Sequence, residues 1–359
     1  MDAAISQNEL ALAARNHGMP LEALRYPVTP VGLHYLLIHY DIPDVDADVW
    51  SLNVDGRVNE PLTLSLAELR DRPAHEVTST MECAGNGRAL LAPHVVSQPW
   101  LLEAIGTARW RGVRLKELLA EADILDDAVE VVFTGLDRGV EKDVEQNYQR
   151  SLALDDALGD DVLLAYEMNR APLLPQHGFP LRLLVPGWYG MTSVKWLARI
   201  EVLAEPFQGY QMTAGYRFRA NEDDDGRPIT RMQARSLMVP PGIPDFDTRA
   251  RIVEVGPCQL QGRAWSGWAP VDRVEVSTDG GGTWSDAELE PLGSRWAWRG
   301  WRYEWNAGEP GEYVLCCRAS DEAGNVQPDE PIWNVGGYSN NALQRVPVTV
   351  RYRNQLSSG

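Results

Sequence analysis

The sequence predicts an α+β domain followed by an all-β sandwich, and three observations predict it. From Val49 to about Leu203, short apolar runs of strand length mix with short amphipathic helices, and no GxGxxG turn of a doubly wound dinucleotide fold occurs. Around Met238-Val239-Pro240-Pro241-Gly242-Ile243-Pro244, prolines and a glycine interrupt both periodicities and mark a boundary. Beyond it the chain carries only period-two alternation broken by turn residues. The expected organisation is an extended N-terminal arm over 1–40, an α+β domain over 41–240 and a sandwich over 248–353.

Each element has its own reason. The first forty residues are polar and proline-punctuated, which reads as an arm. Val54–Val58 and Val129–Phe133 are apolar runs of strand length. Ser65 to Asp71 reads as a helix, because Ser65 and Glu68 stand in capping-box register. Leu115, Leu118, Leu119 and Ile124 repeat at helical spacing and predict a helix over 115–124. Asp161–Tyr166 and Leu181–Val185 are expected as buried strands. In the last third, Val274 and Val276, then Val346, Val348 and Val350, alternate with polar residues. The turns Thr278-Asp279-Gly280-Gly281-Gly282 and Asp321-Glu322-Ala323-Gly324-Asn325 separate them, as in an immunoglobulin-like sandwich. Eight of the thirteen tryptophans fall between Trp265 and Trp333, more than one small core holds, so some are expected at a domain or subunit interface.

Composition narrows the function. With 359 residues the chain is too long for one ordinary core. A net charge of −18, from 33 basic and 51 acidic residues, argues against nucleic acid as a partner, and no apolar run has the length of a membrane span. The four cysteines, Cys83, Cys258, Cys316 and Cys317, lack metal-ligand spacing and do not read as a disulfide framework. With no signal peptide legible at the N-terminus, a cytoplasmic protein is expected, or a periplasmic one if a leader has been removed.

Two segments carry chemistry. In Met81-Glu82-Cys83-Ala84-Gly85-Asn86-Gly87-Arg88 a lone thiol sits in a glycine-punctuated turn with a cation five residues on. Turn glycines admit close approach of a ligand, and a nearby arginine favours the thiolate, which binds metals and acts as a nucleophile. A free cysteine is also commonly a small buried hydrophobe, so this turn alone decides nothing. In the second segment, glycines and prolines bracket strands and leave His177, Arg182, Ser193 and Lys195 as spread donors suited to a phosphate. Solvated charges at strand ends are the plainer alternative.

Taken together, Cys83-Ala84-Gly85-Asn86-x-Arg88, Thr107-Ala108-Arg109-Trp110, Leu164 to Asn169, His177-Gly178-Phe179-Pro180-x-Arg182 and Val194-Lys195-Trp196-Leu197 resemble the sulfite oxidase family of molybdenum enzymes. Ala264-Trp265-Ser266-Gly267, Asp279 to Trp284, Trp296 to Arg299 and Asn325-Val326-Gln327-Pro328 resemble that family's dimerisation domain. The resemblance runs in order from roughly residue 20 to 350. It implies a sulfite oxidase-type molybdopterin-binding domain, one molybdenum–molybdopterin per chain, Cys83 as the protein's metal ligand, and a homodimer paired through the sandwich. The cofactor-binding set it implies is Tyr40, Cys83, Asp137, His177, Arg182, Ser193 and Lys195.

For catalysis the resemblance implies Arg88 on an anionic substrate, Trp100 closing the pocket, and His39 where the family carries an arginine. Other positions depart from the family. Gly336 stands where a second-domain arginine is expected, and Phe207 where a tyrosine lies over the substrate, with Tyr210 nearby. Arg109, Arg138 and Arg217 are candidate replacements for the lost charge. His39 is expected to charge beside a bound anion, given an ordinary pKa near ~6.5. The implied reaction is oxidation of sulfite to sulfate, with electrons passing to a separate acceptor, a cytochrome c-like protein or oxygen, and no haem in this chain. The changed pocket residues keep open oxidation or reduction of another sulfur compound, a sulfane or a sulfoxide. A non-catalytic binding protein on the same scaffold is the alternative from another class, against which the intact Cys83, His177, Arg182 and Lys195 argue.

Overall fold

The computed structural model describes residues 5–353. Two sheets build the first region. One has the order β2 (Leu62–Ser65), β1 (Ser51–Gly56), β10 (Leu197–Leu203), β5 (Glu130–Glu141) and β6 (Val144–Ala153). Only β1 and β10 run parallel in it. The other joins β3 (His75–Glu82), β4 (Ile105–Arg114), β7 (Leu163–Met168) and β8 (Ala171–Pro172), with β9 (Arg182–Leu184) also paired to β7. The short helices sit between strands. In α2 (Leu66–Arg70) the Ser65–Glu68 capping box forms as expected. Helix α3 (Leu115–Glu121) buries Leu115, Leu118 and Leu119 and stops before Ile124, because Asp123 adopts a positive φ of 52°. Ile124 instead bridges to Val58.

The N-terminal segment differs from the expected extended arm. Gln7–Arg15 is a helix, α1, started by a capping box between Ser6 and Glu9. Only Glu9 of that helix is buried, while Leu10 and Leu12 are exposed, so no apolar stripe announces it. Two short 3₁₀ turns follow at Leu21–Arg25 and Val31–Leu33, and Met19, Ala23, Leu24, His34 and Tyr35 enter the interior.

The last third is a sandwich. One sheet orders β13 (Arg235–Met238), β16 (Gly256–Trp265), β20 (Arg299–Ala307) and β19 (Glu288–Leu289). The other orders β14 (Ile243–Pro244), β15 (Arg251–Glu254), β22 (Gln344–Arg351), β21 (Gly311–Asp321), β17 (Val271–Ser277) and β18 (Ser285–Asp286). Their inner faces share one core, with Leu260, Trp301 and Trp305 from the first sheet and Val274, Leu315, Ala319, Val346 and Val348 from the second. Strand β13 precedes the proline-rich run yet pairs with β16.

The tryptophan excess is used within the chain. Trp265, Trp296, Trp298 and Trp333 donate their indole N–H to Glu82, Asp161, Pro27 and Pro93 respectively, all in the first region. Residues 294–298 run along β3: Ser294 Oγ donates to the Thr78 carbonyl, the Thr80 amide to the Trp296 carbonyl, and the Trp298 amide to Thr80 Oγ1. The strand that delivers Cys83 is therefore held from both regions. Among the described residues, no helix is long and apolar enough to cross a membrane.

Candidate active site

Strand β3 ends at Glu82, and the chain then turns tightly. The Cys83 amide donates to the Ala104 carbonyl at 2.9 Å, and the Asn86 and Arg88 amides donate to the Cys83 and Gly85 carbonyls, both at 3.0 Å. Gly87 sits at φ 89°, a conformation that costs a side chain with Cβ. Asn86 bridges the Glu82 carboxylate, the Leu102 carbonyl and the Ala104 amide. Glu82 in turn forms a fully buried ion pair with Arg235 at 2.6 Å and accepts the Trp265 indole at 2.9 Å. Asn340 Nδ2 donates to the Gly87 carbonyl and the Ser339 amide to the Ala84 carbonyl. A turn of this kind would be pliable alone; its contacts to Arg235, Trp265, Ser339 and Asn340 make it rigid.

Two cavities meet at Cys83. The first is lined by His34, Tyr35, Met81, Asp137, Tyr148, His177, Arg182, Ser193 and Lys195 among others, and the second by Arg88, Gln98, Trp100, Glu141, Gln211, Tyr216 and Tyr338 among others. Cys83, His39 and Leu37 border both.

The first cavity gathers the donors expected from sequence. They are not solvated charges: His177, Arg182 and Ser193 are each 5% exposed or less. Gly178, at φ 104°, closes the turn after His177, and a Cβ there would lie 2.9 Å from Lys195 Cβ. Arg182 donates to the His177 and Ser193 carbonyls and lies over the Trp110 ring, while its Nε has no partner. Among the described residues, Lys195 donates only to the Leu37 and Gln176 carbonyls. Burial pushes the Lys195 ammonium down to about 7 and the Arg182 guanidinium down to about 10. Burial likewise raises the Asp137 carboxyl to about 7, with Lys195 opposing, and Asp137 Oδ1 has no partner. Burial, reinforced by Arg182 and, at His177, by His34 and Lys195, keeps His34 and His177 neutral. Two buried cations without a carboxylate at bonding distance, beside orphaned polar atoms, form a cradle for an anion that also carries hydrogen-bonding groups.

Tyr40, expected in this set, lines neither cavity. It packs on Gly139, and its hydroxyl accepts from Gln211 Nε2 at 3.2 Å. His34, Tyr35 and Tyr148 line the first cavity without having been anticipated. Nothing in the local pattern around His34 distinguishes it from a core histidine.

The second cavity corrects several expectations. Arg88 and Trp100 line it as expected. Arg88 Nε donates to the Gly336 carbonyl at 2.9 Å, one Nη donates to Gln98, and the guanidinium lies over the Tyr338 ring. The tyrosines that line it are Tyr216 and Tyr338, and neither Phe207 nor Tyr210 does. The Phe207 amide is bound to the Glu130 carboxylate, and Tyr210 begins the short helix α5 (Tyr210–Thr213). Arg109, Arg138 and Arg217 line neither cavity. Arg138 pairs with Glu145 at the surface, and Arg217 is spent on the Asp225 and Gly226 carbonyls.

His39 is not a poised cation. Burial, then Lys195, Arg150 and Arg88, lower it to about 3, so it is a neutral imidazole at physiological pH, stacked on Tyr148 with Nε2 2.5 Å from the Tyr216 hydroxyl. The Cys83 thiol is also corrected. Burial raises it and outweighs the opposing pull of Arg88, so a thiolate needs more than the arginine to hold it.

Comparison with known proteins agrees with this geometry. Residues 39–211 match the family model described as oxidoreductase molybdopterin binding domain, and 227–351 the one described as Mo-co oxidoreductase dimerisation domain. Chicken sulfite oxidase (Gallus gallus) is 36% identical over 342 residues, which cover 89% of this chain and 72% of that protein. The chain belongs to the sulfite oxidase family. Arabidopsis thaliana sulfite oxidase is 34% identical, covering 91% of this chain and 89% of that protein. The mitochondrial sulfite oxidase of Mus musculus is 38% identical over 90% of this chain, and the chain spans 62% of that protein's length. Among solved structures, the sulfane dehydrogenase SoxCD from Paracoccus pantotrophus superposes with a TM-score of 0.79 at 28% identity, covering 91% of this chain and 82% of that one. The α+β domain followed by a β-rich dimerisation domain is the fold of this family.

The donor set of the first cavity fits a molybdopterin: cations for its phosphate, polar atoms for its pterin, and a thiol at the far end. Among the described residues, no three His, Cys, Asp or Glu side chains cluster as a metal site. A single thiolate at Cys83 therefore suffices only if the remaining ligands belong to the cofactor.

Proposed function

We propose that this chain oxidises sulfite to sulfate with a molybdopterin-bound molybdenum ligated by Cys83, passing electrons to a separate acceptor. The observation that carries the reading is that a cationic cradle and an arginine- and tyrosine-lined pocket meet at one thiol. Arg182, Lys195, His177 and Ser193 would hold the phosphate and pterin, with Asp137 as a hydrogen-bond partner. When bound, the cofactor supplies oxygen-atom transfer and takes up two electrons. The protein's part is binding and orientation. Arg88 draws the oxoanion in. Burial keeps the Tyr216 and Tyr338 hydroxyls protonated; Tyr338 can donate to the oxoanion, and Tyr216 can do so when His39 Nε2 carries the imidazole proton and donates to it. Trp100 and the buried walls limit water. Acidic surface charge suits a basic cytochrome c-like acceptor, and the sandwich, matching a dimerisation domain, supports a homodimer.

A second reading is oxidation of a sulfane sulfur. It is favoured by Glu141, a carboxylate in the wall of the substrate pocket, and by the likeness to a sulfane dehydrogenase.

Metal analysis of protein made in a molybdopterin-competent host tests the proposal, with Cys83→Ser alongside. About one molybdenum per chain, a visible charge-transfer band bleached by sulfite, and loss of band and turnover in Cys83→Ser are expected. Molybdenum that responds to a sulfane but not to sulfite favours the second reading. Folded wild-type protein without molybdenum overturns both.

A further inference from the structure

Arg150 points from β6 into the protein and is 2% exposed. One of its Nη groups donates to the Gln211 carbonyl, its Nε has no partner, and its guanidinium lies 5.4 Å from the centre of the Tyr216 ring. Among the described residues, no carboxylate is within salt-bridge distance of it. Glu130, the acid whose field it feels, is engaged by Ser151 Oγ at 2.6 Å and by the Phe207 amide. An arginine stripped of water without a counter-charge is costly, so it persists where its charge is used.

The charges around the second cavity show a use. Its walls hold one cation, Arg88, and one carboxylate, Glu141. His39 is neutral, and Lys195 and Arg182 face the other cavity, where a phosphate would offset them. The wall alone is therefore electrically balanced, which is a poor receptor for an anion. Arg150 stands one aromatic ring behind it, and both residues it touches, Tyr216 and Gln211, are wall residues.

We propose that Arg150 is a specificity-determining positioning residue that makes the second cavity an oxoanion site, acting through Tyr216 and Gln211. It supplies from behind the wall the positive charge that the balanced wall lacks. The inference rests on the oxoanion reading above, but sulfate binding tests it without turnover.

The test compares Arg150→Met, Arg150→Gln and Arg150→Lys with wild-type holoenzyme, each verified for molybdenum content and thermal stability. Calorimetry measures sulfate binding and steady-state kinetics measure sulfite oxidation. Arg150→Met and Arg150→Gln are expected to weaken sulfate binding and raise the sulfite KM about tenfold or more, with kcat within about threefold. Arg150→Lys is expected to stay within about threefold of wild type in both. The Gln variant keeps a neutral donor for the Gln211 carbonyl, so recovery by Gln as complete as by Lys means a structural role and overturns the proposal. Unchanged sulfate binding in Met and Gln, or a lowered kcat at constant KM, also overturns it, as does failure of wild type to bind sulfate. Lys-rescued sulfate binding in an enzyme that does not oxidise sulfite would sustain this inference while the proposed function falls. If Arg150→Met does not fold, the Gln–Lys pair decides alone.

Discussion

The two cavities that meet at Cys83 are built by opposite strategies. The first cavity, proposed above as the cofactor cradle, draws His177, Arg182, Ser193 and Lys195 from a stretch of nineteen residues and Asp137 from β5, with charges placed directly in its wall. The second, proposed as the substrate pocket, collects Arg88, Gln211, Tyr216 and Tyr338 from segments far apart, joined by contacts such as Arg88 to the Gly336 carbonyl across 248 residues. Its wall charges cancel, and its remaining positive charge lies behind an aromatic ring. A cradle for a resident cofactor can be dense and permanent. A pocket that must release its product cannot bind so tightly, which leaves room for its charge to be set remotely.

Separate failure of the two cavities would establish that division. Arg182→Met is expected to produce the largest effect, lowering molybdenum content at least tenfold, because it removes the buried cation proposed to hold the cofactor's phosphate. Metal analysis of folded protein reads this, and full loading would break the assignment of the cradle. Arg88→Met should do the converse, leaving molybdenum near one per chain while the sulfite KM rises by roughly 30-fold or more, the low end of about 2–5 kcal/mol for a charge partner lost from a buried site. A lowered metal content in Arg88→Met would mean that the two cavities are not functionally separate.

The cradle also has a pH signature of its own. In cofactor-free protein Asp137 is raised from 3.8 to about 7, so its contribution to stability is present below the unfolded value and lost as pH climbs from about 4 to 7. Lys195 is lowered from 10.5 to about 7, so its buried charge penalises folding below about 7 and the penalty fades as pH climbs toward 10. Below about 6.5 the neutral burial of His34, His39 and His177 adds an opposing rise with pH, so the Lys195 contribution is read as a difference: the stability of Lys195→Met relative to wild type, both cofactor-free, should fall as pH climbs from about 7 to 10. Denaturant titrations of both proteins from pH 5 to 10 check this, and a difference that does not change with pH would contradict it. The smallest effect is expected at the seam between the regions. Trp296→Phe removes the bond to Asp161 and should cost about 1 kcal/mol, read by thermal unfolding, with little change in KM.

What was legible in the sequence follows the same divide. Cys83 and the His177–Lys195 stretch could be read because turn glycines and polar donors stand next to one another along the chain. The Ser65–Glu68 cap was legible because capping is settled within four residues. Helix α1 was missed because it lies on the surface with little buried. Tyr216, Tyr338, His34 and Arg150 were missed because none has a local pattern that separates it from an ordinary core residue. Phe207 was misplaced because a tyrosine's role over a pocket depends on where the chain returns, not on its neighbours in sequence. The tryptophan excess predicted an interface correctly but not which one: at least four of the eight hydrogen-bond within the chain, to the first region.

By itself, then, the sequence determined the α+β and all-β regions, the thiol and the phosphate-type donors, since periodicity and turn chemistry act over a few residues. Tertiary structure alone decided the protonation of Cys83 and His39 and the charge of the substrate pocket. Ionisation depends on burial and on cations from distant segments, and neither exists until the chain has closed around the site.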